Sequence, residues 1–103
     1  MILLTAFALL NSPEASVAQS GGDDAAGKMV ALSLCVKCHR IDGIDRSADR
    51  VPPNFGAIAD IPSQTETSLR VFLRTAHGDM PRYHLTATET DDVIAYIRSL
   101  RSR

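Results

Sequence analysis

Apolar residues recur at helical spacing in two segments of the second half of the chain, and each segment begins with a helix-capping signature. In the first, Ser63 and Glu66 fit a capping box, with Ser63 at the N-cap and Glu66 three residues later. The apolar positions that follow at helical spacing are Leu69, Phe72, Leu73 and Ala76. Gly78 marks the expected end of this helix, since glycine commonly follows the last helical turn.

The second segment predicts a C-terminal helix. Thr86 and Glu89 form another capping box at its start. Its apolar face consists of Val93, Tyr96, Ile97 and Leu100. Arginines follow near its C-terminal end, where positive charge is favourable to the helix dipole.

The first half of the chain predicts one more long helix and then a loop. Asp23 or Asp24 can cap a helix that runs to about Leu34. Between His39 and Ile61, glycines and prolines interrupt the pattern, so we expect a loop with one helical turn near residues 54–59. No segment alternates apolar and polar residues as a strand would, and the predicted fold class is all-α.

The N-terminus is typical of an exported protein. Residues 1–10 are apolar and uncharged, and the small side chains of Ser16 and Ala18 fit a signal-peptidase site. We expect residues 1–18 to be a cleaved signal peptide, residues 19–23 a flexible leader and residues 24–103 the domain, with a periplasmic location. A helix belonging to the domain and an uncleaved anchor are the alternatives, although the run is too short to span a membrane.

Composition narrows the class of protein. The chain has 103 residues with 11 Lys and Arg against 12 Asp and Glu, so it lacks the basic excess of most nucleic-acid-binding proteins. Aromatic residues make up only 5%, with no Trp, and two cysteines are too few for a disulfide scaffold. A domain this small commonly needs a disulfide, metal or cofactor, so the composition is compatible with a cofactor-dependent domain.

Cys35, Cys38 and His39 form the sequence C-x-x-C-H, which is the attachment signature of c-type haem. Two thiols three residues apart on a helical turn face the same way, so both can form thioethers with one edge of a porphyrin. The next residue, His39, then presents its imidazole to the iron as an axial ligand. The sequence therefore predicts one covalently bound haem c with His39 as an iron ligand.

Three other interpretations of this motif remain open. The cysteines could form a thioredoxin-like disulfide, although that fold needs strands that the sequence does not predict. They could bind zinc, but no second pair of ligands is spaced for it. The match could also be accidental, with His39 a buried structural residue.

The second iron ligand is predicted to be Met80, which lies after the third predicted helix and directly before Pro81. A neutral thioether paired with histidine raises the reduction potential of a haem. Pro81 restricts Met80 to an extended backbone and stiffens the segment. His77 and His84 lie three and four residues away and are the alternative ligands.

On these motifs the sequence resembles the class I monohaem cytochromes c, small soluble proteins of the bacterial periplasm. The resemblance covers about residues 24–100 and implies three to five helices wrapped around a haem, with the N-terminal and C-terminal helices crossing. It implies that Gly27 is the crossing point beside Tyr96. The family often has an aromatic residue four positions after that glycine, whereas this chain has Ala31, so Met29 or Val30 could pack there instead.

The resemblance also implies a partner for His39. In this family a proline carbonyl that follows the haem motif accepts a hydrogen bond from the axial imidazole. Pro53 is the candidate, and Pro52 is the alternative. Such a bond would orient the ring and raise its basicity.

The function that the resemblance implies is one-electron transfer without enzymatic activity, because protein ligands at both axial positions leave no site for a substrate. We expect redox proteins as partners, meeting a monomer in small, short-lived interfaces, and no nucleic acid. Two further interpretations are a haem sensor or peroxidase-like enzyme with a labile sixth ligand, and an electron-entry subunit of a larger dehydrogenase or oxidase.

Overall fold

The computed structural model describes residues 21–102, and this part of the chain folds into four helices joined by loops. The helices are α1 (Asp24–Leu34), α2 (Phe55–Ala59), α3 (Glu66–Arg74) and α4 (Ala87–Ser99). Residues 21–102 contain no strand, so the all-α prediction is confirmed for them. The predicted signal peptide and residues 19–20 of the predicted leader lie outside the described residues. Within the described range, no helix has the length and apolar character needed to cross a membrane.

Helix α4 is the central element, because it packs against each of the other three helices. Its most extensive contact is with α1, and the two helices cross at Gly27. A β-carbon at Gly27 would overlap the carbonyl oxygen of Asp92 and lie 2.9 Å from the β-carbon of Tyr96. The predicted approach of Gly27 to Tyr96 is therefore confirmed, and glycine is required because any side chain would separate the two backbones.

The hydrophobic core lies between α4 and the elements around it. Its buried apolar side chains are Ala31, Ile41, Phe55, Ala59, Leu69, Val93, Ile94, Tyr96 and Ile97. Ala31 itself is fully buried at the position next to the crossing, whereas Met29 is mostly exposed and Val30 packs only at the edge of the core. The expectation that Met29 or Val30 replaces the family's aromatic residue is wrong for Met29, since a small residue keeps α1 close to α4.

The hydroxyl group of Tyr96 joins α4 to the segment that follows the C-x-x-C-H motif. It donates a hydrogen bond to the carbonyl oxygen of Ile41 at 2.8 Å. Burial, and secondarily the nearby carboxylate of Asp42, raises the pKa of Tyr96, so the hydroxyl remains a donor. This contact holds the end of the motif against the C-terminal helix.

The start of α3 differs from the prediction. The N-cap is Thr65, whose hydroxyl accepts a hydrogen bond from the Ser68 amide at 3.0 Å, while the Ser68 hydroxyl accepts one from the Thr65 amide at 2.8 Å. Ser63 is therefore not the N-cap. Glu66 does not complete a capping box either, because its carboxylate forms an ion pair with Arg98 of α4 at 2.6 Å.

The end of α3 also comes earlier than Gly78. The helix stops at Arg74, and Thr75 is extended with its hydroxyl donating to the Val71 carbonyl at 2.7 Å. A hydroxyl that occupies a helical carbonyl in this way competes with continuation of the helix. Gly78 instead has φ +52° in the loop beyond, a left-handed conformation that favours glycine.

Replacing Gly27 by alanine should destabilise the holoprotein strongly. Although alanine has a better helix propensity by about 1 kcal/mol, its methyl group would overlap the backbone of α4, and overpacking of this kind typically costs about 1–3 kcal/mol or more. We expect Gly27→Ala to lower the free energy of unfolding, measured by chemical denaturation. Ala25→Leu, at an exposed position of the same helix, is the control and should change it little. Wild-type stability of Gly27→Ala would contradict the observed crossing.

The capping assignment can be tested by two substitutions that lie two residues apart. Thr65→Ala removes the side chain that caps α3 and should reduce the free energy of unfolding by about 1 kcal/mol. Ser63→Ala should have almost no effect, because Ser63 is exposed and outside the cap. Thermal or denaturant unfolding measures the stability of both variants. If Ser63→Ala destabilised the protein more than Thr65→Ala, the capping box predicted at Ser63 would be correct.

Candidate functional site

The C-x-x-C-H motif forms a turn that continues directly from the end of α1. The Cys35 amide donates to the Ala31 carbonyl at 2.8 Å, and the Cys38 and His39 amides both donate to the Cys35 carbonyl, at 3.1 and 2.9 Å. Cys35 is half-buried and Cys38 is exposed, and both thiols are free. Burial raises the pKa of the Cys35 thiol. The turn therefore carries two thiols and an imidazole within five residues.

His39 is oriented by a single short hydrogen bond. Its Nδ1 lies 2.6 Å from the carbonyl oxygen of Pro53, and its ring centroid is 5.4 Å from that of Phe55. A carbonyl oxygen can only accept, so Nδ1 carries the proton and the lone pair of a neutral imidazole is on Nε2. Nε2 is thus available to a metal ion, and the partner of His39 is Pro53 and not Pro52.

The loop after the motif is folded back so that Pro53 reaches His39. The amide of Phe55 donates to the Arg40 carbonyl at 2.9 Å, which pairs the start of α2 with the residue after His39. Asn54, which follows Pro53, is fully buried, yet neither atom of its carboxamide has a hydrogen-bond partner within residues 21–102. Buried amides are almost always hydrogen-bonded. Asn54 therefore needs a polar partner beyond these residues, and a water molecule or a cofactor beside His39 would supply one.

The segment from Thr75 to Thr86, named here the Met80 loop, contains the predicted second ligand. Met80 is half-buried, and its amide donates to the His77 carbonyl at 3.2 Å. The His77 ring packs edge-on against Phe72 at 5.1 Å, and its Nδ1 lies 3.1 Å from the Thr75 carbonyl. His84 is exposed. His77 thus already has a packing role that Met80 and His84 do not have.

The structure brings Cys35, Cys38, His39 and Pro53 together. Met80 is linked to this group indirectly, by a contact that another residue of the Met80 loop makes. Three residues after Met80, the Tyr83 hydroxyl donates to the carbonyl oxygen of Leu34 at 3.4 Å. Leu34 is the residue before Cys35, so the Met80 loop lies against the end of α1. Among the described residues, no hydrogen bond joins Met80 itself to the motif.

Apolar side chains around these residues are unusually exposed. Val36 in the motif and Val71 and Phe72 on α3 each leave about half of their surface open. The exposed Val36 lies in the motif with the free thiols and the oriented imidazole, and the exposed Phe72 packs on His77 of the Met80 loop. Exposed apolar surface on both segments fits a large apolar group with polar edges, which is the chemistry of a haem. The zinc alternative lacks support, because residues 21–102 contain no group of three His, Cys, Asp or Glu side chains placed to hold a metal ion. The thioredoxin-like alternative lacks the strands it requires there.

The contacts of three residues of this site could not be predicted from the sequence. Asn54 follows Pro53 at the start of α2, where an asparagine would ordinarily cap the helix, so nothing in the sequence signals that its carboxamide is buried and makes no cap. Arg82 and Tyr83 contribute contacts that depend on how the helix ends approach the Met80 loop. Only their position directly after Met80-Pro81 could have drawn attention to them.

Comparison with known proteins gives a family and one relative. Residues 25–101 match the family model described as cytochrome c. The chain is 32% identical over 94 residues to cytochrome c-552 of Bradyrhizobium diazoefficiens, an alignment that covers 91% of this chain and 88% of that protein. No solved structure gives a significant match.

Proposed function

The chain belongs to the cytochrome c family and is an electron carrier with a covalently attached haem c, and on this basis we propose that His39 and Met80 are the axial ligands of its iron. The observation that carries this proposal is the 2.6 Å contact between Nδ1 of His39 and the carbonyl oxygen of Pro53. A histidine whose Nδ1 proton is fixed by a carbonyl has its other nitrogen oriented and made more basic for a metal ion.

On the His39 side, each residue of the motif has a distinct role. The Cys35 and Cys38 sulfurs would form the two thioether bonds to the haem. His39 would bind the iron through Nε2, while Pro53 holds the ring in position. When bound, the haem iron supplies a one-electron change between its ferric and ferrous states. The protein affects this change through its ligands, their hydrogen bonds and the exclusion of water.

On the other side, Met80 is favoured over the two neighbouring histidines. His77 packs its ring on Phe72 and holds the Thr75 carbonyl with Nδ1, so moving it to the iron would break both contacts. His84 is exposed and has no hydrogen-bond partner among the described residues, so nothing there orients its ring as Pro53 orients that of His39. Met80 is half-buried and precedes Pro81, which limits its backbone to an extended conformation.

With His39 and Met80 as ligands, no site at the iron would be open to a substrate, so the proposed role is electron transfer without a catalytic step. We infer that it acts in the periplasm after removal of residues 1–18, as a monomer that exchanges electrons with other redox proteins. Arg40, beside the motif, is within ion-pair distance of Asp42 at 3.5 Å and Asp45 at 3.9 Å, so it contributes less free positive charge than its sequence position suggests. Exposed Lys37 and Arg82 remain available to meet an acidic partner.

The attachment residues can be tested by mass and spectrum. Cys35→Ala and Cys38→Ala should each leave at most one thioether, so denatured protein would lose haem more readily than wild type. His39→Ala should fail to give stable holoprotein, because it removes the ligand that Pro53 orients. Mass spectrometry and the absorption spectrum of purified protein measure these effects. A normal six-coordinate, low-spin spectrum of His39→Ala would show that His39 is not a ligand.

The second ligand can be tested by comparing Met80 with the neighbouring histidines. Met80→Ala should open the sixth position, so that carbon monoxide binds to the reduced protein. Met80→His should remain six-coordinate but have a lower reduction potential, by a fraction of the roughly 0.8 V range that axial ligands span. The weak near-infrared sulfur-to-iron band of the oxidised protein should disappear in both variants.

The matched controls for that experiment are His77→Ala and His84→Ala. Both should keep the near-infrared band and the low-spin spectrum, with only small shifts in potential. Loss of the native low-spin state in either histidine variant, with Met80→Ala unaffected, would identify a bis-histidine haem. Strong binding of carbon monoxide by the wild-type protein would instead favour a sensor or peroxidase-like function.

A further inference from the structure

We propose that Arg82 and Tyr83 are positioning residues for Met80, because they tie the Met80 loop to the last residues of α3 and α1. This proposal rests on the proposed role of Met80 as an axial ligand. Two hydrogen bonds, named here the loop tethers, carry it. Arg82 Nη2 donates to the Arg74 carbonyl at 3.2 Å, and the Tyr83 hydroxyl donates to the Leu34 carbonyl at 3.4 Å.

Both tethers end on a carbonyl group at the C-terminal end of a helix. Arg74 is the last residue of α3 and Leu34 is the last residue of α1. The final carbonyls of a helix have no partner within the helix and must be satisfied from outside. Among the described residues, neither carbonyl accepts any other hydrogen bond. Each tether therefore satisfies a helix end and fixes the loop at the same time.

The tethers lie close enough to Met80 to control its position. Only Pro81 separates Met80 from Arg82, and the proline ring fixes one backbone angle of that link. On the other side, the Met80 amide is held by the His77 carbonyl, and the His77 ring rests on Phe72. Met80 is thus fixed from both directions by residues two or three positions away.

Side-chain packing does not hold this part of the loop by itself. A cleft of about 290 Å³ separates Arg82, Tyr83 and Leu85 of the loop from Leu73 and Arg74 of α3. The residues 75–86 also contain no helix or strand. Leu85 packs against the edge of the core, whereas Arg82 and Tyr83 reach the helix ends through the two tethers. These hydrogen bonds therefore hold the part of the loop next to Met80.

The Leu34 tether has a further consequence, because Leu34 directly precedes Cys35. The element that carries both cysteines and His39 is thereby joined to the loop that carries Met80. The Tyr83 hydroxyl thus gives the two sides of the site a direct hydrogen bond, beside the packing of Cys35 and Leu85 on the same core. We infer that losing this hydroxyl lets Met80 move away from the iron more often, while attachment of the haem is unaffected.

Competition with imidazole in the oxidised holoprotein measures how readily Met80 leaves. A net hydrogen bond is typically equivalent to about a two- to tenfold change in an equilibrium constant. Tyr83→Phe removes only the hydroxyl, and Arg82→Met keeps the aliphatic stem but removes the donors. Each should bind imidazole about two- to tenfold more tightly than wild type, and the near-infrared sulfur-to-iron band should weaken at lower imidazole concentrations.

Two controls separate tethering from general effects. His84→Ala changes an exposed side chain in the same loop for which the structure shows no hydrogen bond, and Arg101→Met removes an exposed positive charge far along the chain. Both should bind imidazole as wild type does. Hydrogen exchange of the Met80 amide should be faster in Tyr83→Phe and Arg82→Met and unchanged in the controls.

The outcomes distinguish failure of the tethers from failure of the ligand assignment. If Met80→Ala binds imidazole much more tightly but Tyr83→Phe and Arg82→Met match wild type, the tethers do not position Met80 and the proposal is overturned alone. An equal effect of His84→Ala would overturn it as well. If Met80→Ala binds imidazole no more tightly than wild type, Met80 is not the ligand, and both proposals are wrong.

Discussion

The contact between the backbones of α1 and α4 at Gly27 is the constraint on which the rest of the structure depends. Helix α1 continues without a break into the turn that carries Cys35, Cys38 and His39, so the position of α1 sets the position of the motif. Beyond the motif, the Tyr96 hydroxyl of α4 holds the Ile41 carbonyl. The motif is therefore fixed to α4 at both of its ends. A larger residue at Gly27 would separate the helices and displace the thiols and the imidazole together, although none of them touches Gly27.

The protein core is small, and this leaves a role for the haem in stabilising the fold. The described core contains two aromatic side chains, Phe55 and Tyr96, and half-exposed apolar side chains flank the motif and the Met80 loop. The ion pairs between α3 and α4, from Arg70 to Asp91 and from Arg98 to Glu66, are partly exposed, and such pairs typically contribute less than about 1 kcal/mol each. Most of the available stabilisation must then come from burying apolar surface. A covalently attached haem covers such surface and couples folding to cofactor attachment.

Local signals allowed much of the structure to be predicted from sequence, and long-range contacts account for the failures. The Asp23 cap and the box formed by Thr86 and Glu89 act within one turn, and both are present. The capping box predicted at Ser63 and Glu66 is wrong for two reasons. Glu66 forms an ion pair with Arg98, 32 residues away, and Thr65 caps the helix instead of Ser63. The roles of Asn54 and Tyr83 could not be predicted, since one depends on burial and the other on a helix end 49 residues away. Pro53 could be suggested only by the family resemblance, because every residue has a carbonyl and sequence does not show which one faces His39.

The segment that carries His39 is held more firmly than the loop that carries Met80, and this difference matters for the proposed function. His39 lies in a turn continuous with α1, is bonded to Pro53 and rests near Phe55, so its position follows from the packed core. Met80 lies in a loop without helix or strand, which reaches the ends of α3 and α1 through two hydrogen bonds and packs on the core through Leu85. Because loops with few packed contacts open at lower free energy than the core, we expect the Met80 loop to open before the turn that carries His39. Under the ligation proposed above, opening of this loop would expose the iron to other ligands. The stability of the loop would then separate an electron carrier from a ligand-binding haem protein, while the turn that carries the cysteines and His39 stays in place.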